Sequence, residues 1–376
     1  MKILIISTSF PINEDGSEAA GSFVKDFTVE LSNQGHNVAV IAPITEKTPY
    51  NNKEGIDYFW FSVPTLPLSL LSPKKPQNWL PILTTLRKGK KAVDMAVKQF
   101  EPDHIFALWA LPSGHWARYA KKRYGIPYSI WALGSDIWSL GRIPVIKTYL
   151  KKVLQDAHQQ FADGYQLAEE VSKISNKSCA FLPSTRQLPV CGLPLTQSKP
   201  PYRLCFLGRW HPNKGIDLLL EALSLLEEKD WENIEEVRIA GGGPMEKVVK
   251  EQVTALKEKG HPITLYGFRD KLEAAELLIW TDFVMIPSRV ESVPVIFSDA
   301  IQAMRPVIAM PVGDIPSLIQ GNGFLAEEVG ISAFTKQIKL SIRENPKHFI
   351  NSINLTKKKF NLKNIVLNFI LSVSKK

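Results

Sequence analysis

Cysteine is scarce in this chain. Cys179, Cys191 and Cys205 are an odd number with no C-x-x-C spacing. That excludes a disulfide framework and a cysteine zinc site as the organising device, and it suits a reducing, cytoplasmic compartment. Long apolar runs are also missing. None reaches about 18 residues, the length at which a helix spans a bilayer. The opening "MKILIISTSFPINEDG" holds one lysine and a short apolar run with no clean small-residue cleavage site, so it reads as a buried first strand rather than a secretory leader. The loop after that strand lacks G-x-G-x-x-G, which weighs against a nicotinamide dinucleotide site. Low-complexity tracts and short repeats are absent as well.

The chain instead has the composition of a folded protein of one large domain or two: 376 residues, 44% hydrophobic and 22% charged, enough to bury sizeable cores without staples. Its net charge of +9 is uneven, with 22 basic against 16 acidic residues in positions 1–190. Residues 74–98 hold Lys74, Lys75, Arg87, Lys88, Lys90, Lys91 and Lys98 against the single acid Asp94. Such a run is either a solvated helix face or an attraction to an anionic partner. No nucleic-acid motif accompanies it, so of the two anionic partners a lipid surface fits better than nucleic acid. The apolar loop "TLPLSLLSP" at 65–73 and Trp79 lie beside it and suit shallow insertion.

Alternating strand and helix patterns run along the chain. Residues 1–9 read as an apolar strand, 23–35 as a helix with a glycine stop, and "HNVAVIAP" as a second strand, which makes a βαβ unit and a parallel sheet. "HIFALWA", "SGHWARYAKKRYG" and "PYSIWALG" repeat the pattern. Residues 182–202 are proline-rich and aperiodic, as a linker is. Alternation then resumes, with "YRLCFLGR", "EVRIAGGG", "ITLYGF", "DFVMIPS" and a closing "PVIAM" as strands, and "GIDLLLEALSLLEEK" as one long helix. The expected division is an N-terminal α/β domain at 1–195, a second at 196–355, and a terminal helix at 356–376 whose apolar face needs a partner, the first domain being a candidate.

Ligands bind beyond the carboxyl ends of strands in open α/β sheets, so the loops there carry the chemistry. "GRWHPNKG", residues 208–215, follows a strand and sets Arg209 and Lys214 five apart before a helix, with Gly208 and Gly215 allowing close backbone approach. That is a diphosphate clamp or two solvated cations. "AGGGP" follows the next strand, with Gly242 at its middle; it is a tight turn or a nucleotide cradle. "PSRVESVPVIFSDA" sets Glu291 just after a strand and Asp299 eight residues on, within a helix beginning near Pro294. Acids near helix starts also occur for structural reasons alone.

In the order "GSFVKDFTVELSNQGHNVAVIAP", "WALPSGHWARYAKKRYGIPYSIWALGSDIW", "FLGRWHPNKGIDLLLEAL", "AGGGP" and "PSRVESVPVIFSDAIQAMRPVIAMPVGDIPSLI", these stretches resemble the retaining glycosyltransferases of family 4 over nearly the whole chain. The resemblance implies the α/β GT-B fold, two tandem Rossmann-like domains facing a central cleft. It implies transfer of a hexosyl group from a UDP- or GDP-sugar to a glycan or lipid-linked acceptor, with retention and without a metal or other cofactor. A surface polysaccharide or glycolipid made at the inner face of a membrane is the expected setting. Arg209 and Lys214 match the pair that binds the diphosphate and neutralises the leaving group. Glu291 matches the acid that contacts sugar hydroxyls, and Asp299 stands where a second acid contacts the ribose. The backbone of Ser292, Val293, Pro294 and Val295 is expected to meet the diphosphate. Gly21 or Gly16 matches an N-terminal glycine loop, and Asp136 in "GSD" is expected to contact acceptor or sugar. The chain departs from the pattern at Ser292, where glycine is usual, at Asp299, which is one methylene short, and at Phe106, Leu108 and Leu133, where histidines are frequent. His115 and His211 read as packing or surface histidines. Two further functions fit such a fold: a catalytically silent binder of a nucleotide-sugar or partner enzyme, and a sugar-nucleotide epimerase, which would need acid and base groups that a chain with few histidines supplies poorly.

Overall fold

The computed structural model describes residues 1–11, 21–45, 55–189 and 198–374. They form two α/β units. One comprises the described residues up to Pro183 together with the chain end from Leu362; the other runs Ser184–Asn361.

The first unit is built on seven parallel strands: β1 (Lys2–Ile6), β2 (Asn37–Ile44), β3 (Asp57–Ser62), β4 (His104–Leu108), β5 (Tyr128–Ala132), β6 (Gln160–Ala162) and β7 (Ala180–Phe181). Their order is β3-β2-β1-β4-β5-β6-β7. Strands covered by helices on both faces read as continuous apolar runs, and β1 and β4 do: Ile3, Leu4, Ile5 and Ile6 and all of His104–Leu108 are buried. The helix Ser22–Asn33 turns Phe23, Val24, Phe27 and Leu31 inward at helical spacing. The last helix, Leu362–Val373, packs on this same unit. Its Phe369 sits 4.1 Å from the Phe106 ring and 5.6 Å from that of Phe27, and the Gln34 amide donates to the Lys363 carbonyl.

The second unit has six parallel strands: β8 (Tyr202–Leu207), β9 (Ile234–Ala240), β10 (Ile263–Tyr266), β11 (Phe283–Ile286), β12 (Val307–Ala309) and β13 (Gly323–Leu325), in the order β10-β9-β8-β11-β12-β13. The order reverses between β8 and β11, which pair through Phe283 with Leu204 and Val284 with Cys205. The loops leaving β8 and β11 are therefore neighbours at the topological switch point.

The structure corrects the sequence reading in several places. The chain passes between units at 183/184 rather than 195/196, because Leu188 enters the second core and Gln302 donates to Thr185 Oγ1 and to the Arg186 carbonyl. Residues 190–197 of the expected linker lie outside the described residues. The helix expected from 215 to 229 stops at Ser224, and a second begins at Glu228, where Glu227 and Asp230 form a capping box. β12 is not the last strand; β13 follows it. The aromatic β3 and the short β6 and β7 were not expected. Runs of two or three residues are too short to show a period.

Candidate active site

The loop after β8 is shaped by its anchors. The Gly208 N–H donates to the Ala240 carbonyl at 3.1 Å and the Trp210 N–H to that of Gly242 at 2.8 Å, and the Trp210 ring enters the core. Arg209, between the anchors, is exposed. One 3-10 turn follows at Pro212–Lys214, and His211 Nδ1 accepts from the Asn213 N–H at 3.2 Å. Burial first, then the Arg209 and Lys214 cations, hold the His211 ring below the ordinary histidine range, as an accepting nitrogen requires. Gly215 has φ of +67°, and a Cβ there would lie 1.9 Å from the Pro287 carbonyl oxygen. Glycine thus lets this loop lie directly on the one leaving β11. Across that contact the Lys214 ammonium donates to Glu291 Oε1.

The loop after β9 is pressed against the β8 loop. A Cβ on Gly241 would meet the Gly208 carbonyl at 1.9 Å, and one on Gly242 would meet the Phe268 ring at 2.7 Å. The space beside Gly242 is thus covered by an aromatic side chain, and its packing accounts for glycine there without a ligand.

Glu291 is half-buried on the loop after β11. The Ser292 carbonyl accepts from the Asp314 N–H at 3.0 Å, while the Ser292 hydroxyl oxygen is buried without a hydrogen-bond partner among the described residues. Val293 packs into the core, and Pro294 precedes the helix Val295–Gln302. Ser298, Asp299 and Gln302 share one face of that helix, and residues 185–186 cover it. Asp299 is 1% exposed, and its Oδ2 accepts from Arg186 Nε at 2.8 Å and Nη2 at 2.7 Å. The residue expected to contact a ribose is turned inward here and held by an arginine.

Two arginines therefore belong to the site's frame although the sequence reading passed over both. Arg186 lies 113 residues from Asp299, and nothing in local spacing signals it. Arg289 bridges to Asp217 with two hydrogen bonds, at 2.7 and 2.6 Å. A basic residue two positions before Glu291 was the available clue.

In the first unit, Asp136 is 1% exposed at the start of the short helix Ser135–Trp138. Its Oδ2 accepts from the Ala110 N–H at 2.5 Å and its Oδ1 from the Leu133 N–H at 3.2 Å. Burial pushes its pKa up to about 6, against these amides. The carboxyl group expected to touch acceptor or sugar ties together the chain leaving β4 and β5. Gly21 caps Ser22–Asn33, and a Cβ there would lie 2.9 Å from Ser9 Oγ; Gly16 lies outside the described residues. Phe106 and Leu108 are core residues. His115 Nδ1 is 2.6 Å from the Tyr149 hydroxyl, and burial, with Lys90 and Arg118 nearby, lowers its pKa to about 4.

Of the expected residues, the second unit brings Lys214 and Glu291 together, beside the loop that carries Arg209 and Ser292. Cations next to a carboxylate suit a ligand bearing both an anionic group and hydroxyls. Among the described residues no three His, Cys, Asp or Glu side chains gather as a metal site.

Residues 201–343 match the family described as glycosyl transferases group 1. TuaC of Bacillus subtilis, named as a teichuronic acid biosynthesis glycosyltransferase, is 27% identical over 354 residues, 85% of this chain and 83% of that protein. Among solved structures, sucrose-phosphate synthase from Thermosynechococcus elongatus superposes with a TM-score of 0.75 at 17% identity, covering 98% of this chain and 97% of the other. HepE of Anabaena, solved with UDP and glucose, gives 0.74 at 15% identity over all of both chains. Both likenesses are of fold, and the fold is GT-B.

Proposed function

We propose that this chain is a group 1 glycosyltransferase, as the match of residues 201–343 supports, and that it moves a hexosyl group from a UDP- or GDP-sugar to a glycan or lipid-linked acceptor with retention. The observation that carries this reading is the meeting of Lys214 with Glu291 at the β8–β11 switch point, on loops that also present Arg209. Arg209 and Lys214 would take the donor's diphosphate and stabilise the charge that grows on it as the glycosidic bond breaks, so this reading needs no metal. Glu291 would then exchange its lysine for sugar hydroxyls. An acceptor hydroxyl attacking from the leaving group's side could give its proton to the departing phosphate, leaving the protein to position and to stabilise charge.

The name of the Bacillus relative and the ligands of HepE support a surface polysaccharide and a UDP-sugar. A peripheral site at an anionic membrane face is part of the proposal. Among the described residues no helix is long and apolar enough to cross a membrane. Leu70, Trp79, Leu80 and Leu83 are, however, exposed beside exposed Lys74 and Lys75, and Arg87 and Lys91 continue the Leu80–Leu83 stripe along the helix Trp79–Phe100.

The test is nucleoside-diphosphate release from UDP- and GDP-sugars with and without a membrane extract. Transfer predicts release that requires the extract, and Lys214→Ala lowers it by about 100-fold while folding is kept. Isomerisation of the donor without release would make the protein an epimerase, and binding with neither would make it a silent relative. Wild-type turnover in Lys214→Ala would remove the clamp.

A further inference from the structure

Arg289 sits at the seam between the two loops that carry the site. Its backbone N–H donates to the Asn213 carbonyl at 2.8 Å. Its Nη1 donates to the Pro212 carbonyl at 2.7 Å and to Asp217 Oδ1 at 2.7 Å, and its Nη2 donates to Asp217 Oδ2 at 2.6 Å. Asp217 is in the first turn of the helix Ile216–Ser224. One side chain thus holds the β8 loop at residue 212 and again at residue 217, with its own backbone holding residue 213. Lys214 lies inside that span. Gly215, seated on the Pro287 carbonyl, adds a contact on the same seam, and the Lys214–Glu291 pair closes it two residues beyond Arg289.

A lysine ammonium is a point charge on a four-carbon stem, so where it can act is set by where its Cα is held. The segment 212–215 is one 3-10 turn with no ladder of its own to fix it. A planar guanidinium with two donors on one carboxylate and a third bond to a carbonyl is directional in a way a lone ion pair is not. The ionisation balance agrees with a lasting pair. Hydrogen bonding to Asp217 holds Arg289 above its ordinary value, while at Asp217 burial acts upward and the Arg289 bond and charge outweigh it.

We infer that Arg289 is a positioning residue for transfer: it clips the β8 loop to the β11 loop and so fixes the Lys214 ammonium where the leaving diphosphate must be met. The inference rests on the transferase reading above. Arg289 touches no reacting atom in this role; it acts through Lys214.

The experiment is a double-substitution cycle read as nucleoside-diphosphate release, with UDP-glucose and GDP-mannose as donors and the membrane extract as acceptor source. Arg289→Ala lowers kcat by about 10- to 100-fold, the scale of a misplacement of about 1 Å. Lys214→Ala lowers it by a comparable or larger factor. The double variant is no slower than Lys214→Ala alone, because a clip has nothing to place once the lysine is gone. A structural role gives losses that multiply, and that result overturns the proposal. So does an Arg289→Ala enzyme within twofold of wild type. Arg289→Lys, which keeps the charge but not the fork, recovers only part of the loss; full recovery would show that charge alone matters and would also overturn it. If Arg289→Ala does not fold, Asp217→Asn opens the same clip from the other side and enters the same cycle. A wild-type protein that releases no nucleoside diphosphate fails the functional reading itself, and the positioning role falls with it. Wild-type release with multiplying losses fails the positioning role alone.

Discussion

Glu291 and Asp299 are one carboxylate type in two environments. Glu291 is half-buried on a loop and meets a lysine that an incoming anion can claim. Asp299 is inside, on a helix face closed by Arg186, which is itself 8% exposed. Desolvating a charge is costly unless its partner stays, so removing one member of a buried pair costs about 3–5 kcal/mol. Asp299→Asn should therefore lower the second unit's unfolding free energy by about that amount, read from urea melts followed by tryptophan fluorescence. Glu291→Gln should leave the melt within about 1 kcal/mol of wild type, as a partly exposed pair allows, while transfer falls. The reverse pattern, a stable Asp299→Asn and an unstable Glu291→Gln, would mean that the roles are exchanged. In the sequence Asp299 differs from Glu291 only by standing one methylene short of the family pattern, because spacing along a chain says nothing about which side chain a segment 113 residues away will cover.

The terminal helix shows what an element owes to its seat. Leu362–Val373 lays Phe369 on Phe106, Phe27 and Phe161. His104, on the same strand as Phe106, is 6.4 Å from the Phe369 ring, 6.1 Å from the His158 ring, and bonded to Ser129 Oγ at 2.9 Å. Burial first, then His158, pull the His104 pKa from 6.5 to about 4. The unfolded chain takes up that proton first as pH falls. Stability from a neutral His104 is therefore complete above pH 6.5 and is lost between 6.5 and about 4, at most about 3 kcal/mol. His104→Asn should flatten the dependence of unfolding free energy on pH across that window by up to one proton; a variant with the wild-type slope would exclude His104 as the source. Legibility in the sequence follows from length and period. The helix Ser22–Asn33 and the strands β1 and β8 announce themselves because many residues repeat one pattern. β6 and β13, at three residues each, do not. The site was legible to the same degree. Lys214 and Glu291 could be placed on loops after strands, but the clip made by Arg289 needs β8 and β11 to be neighbours, and that is a fact of sheet order.

At the scale of the whole molecule the net charge of +9 is uneven, with seven basic residues against one acid in positions 74–98. Asn78 donates to the Ser72 carbonyl at 3.1 Å and Trp79 Nε1 to that of Pro73 at 2.9 Å, so the apolar loop is tied to the start of its basic helix. Leu80 is 73% exposed, and under the proposed membrane-surface reading an interface would accept the leucines while the lysines met phosphate. Each basic residue near an anionic surface contributes about 1 kcal/mol, attenuated over roughly 8 Å at physiological salt. Lys74, Lys75, Lys88 and Lys91 together thus supply roughly 4 kcal/mol, and reversing their sign replaces attraction by repulsion. The protein should sediment with vesicles containing phosphatidylglycerol and not with pure phosphatidylcholine. Binding should weaken as salt rises, and it should vanish when those four lysines become glutamate. Leu80→Ser with the lysines intact should weaken binding at every salt concentration without changing its salt dependence, because it removes buried apolar area and no charge. Unchanged sedimentation in the charge-reversed protein would leave residues 74–98 a solvated helix face.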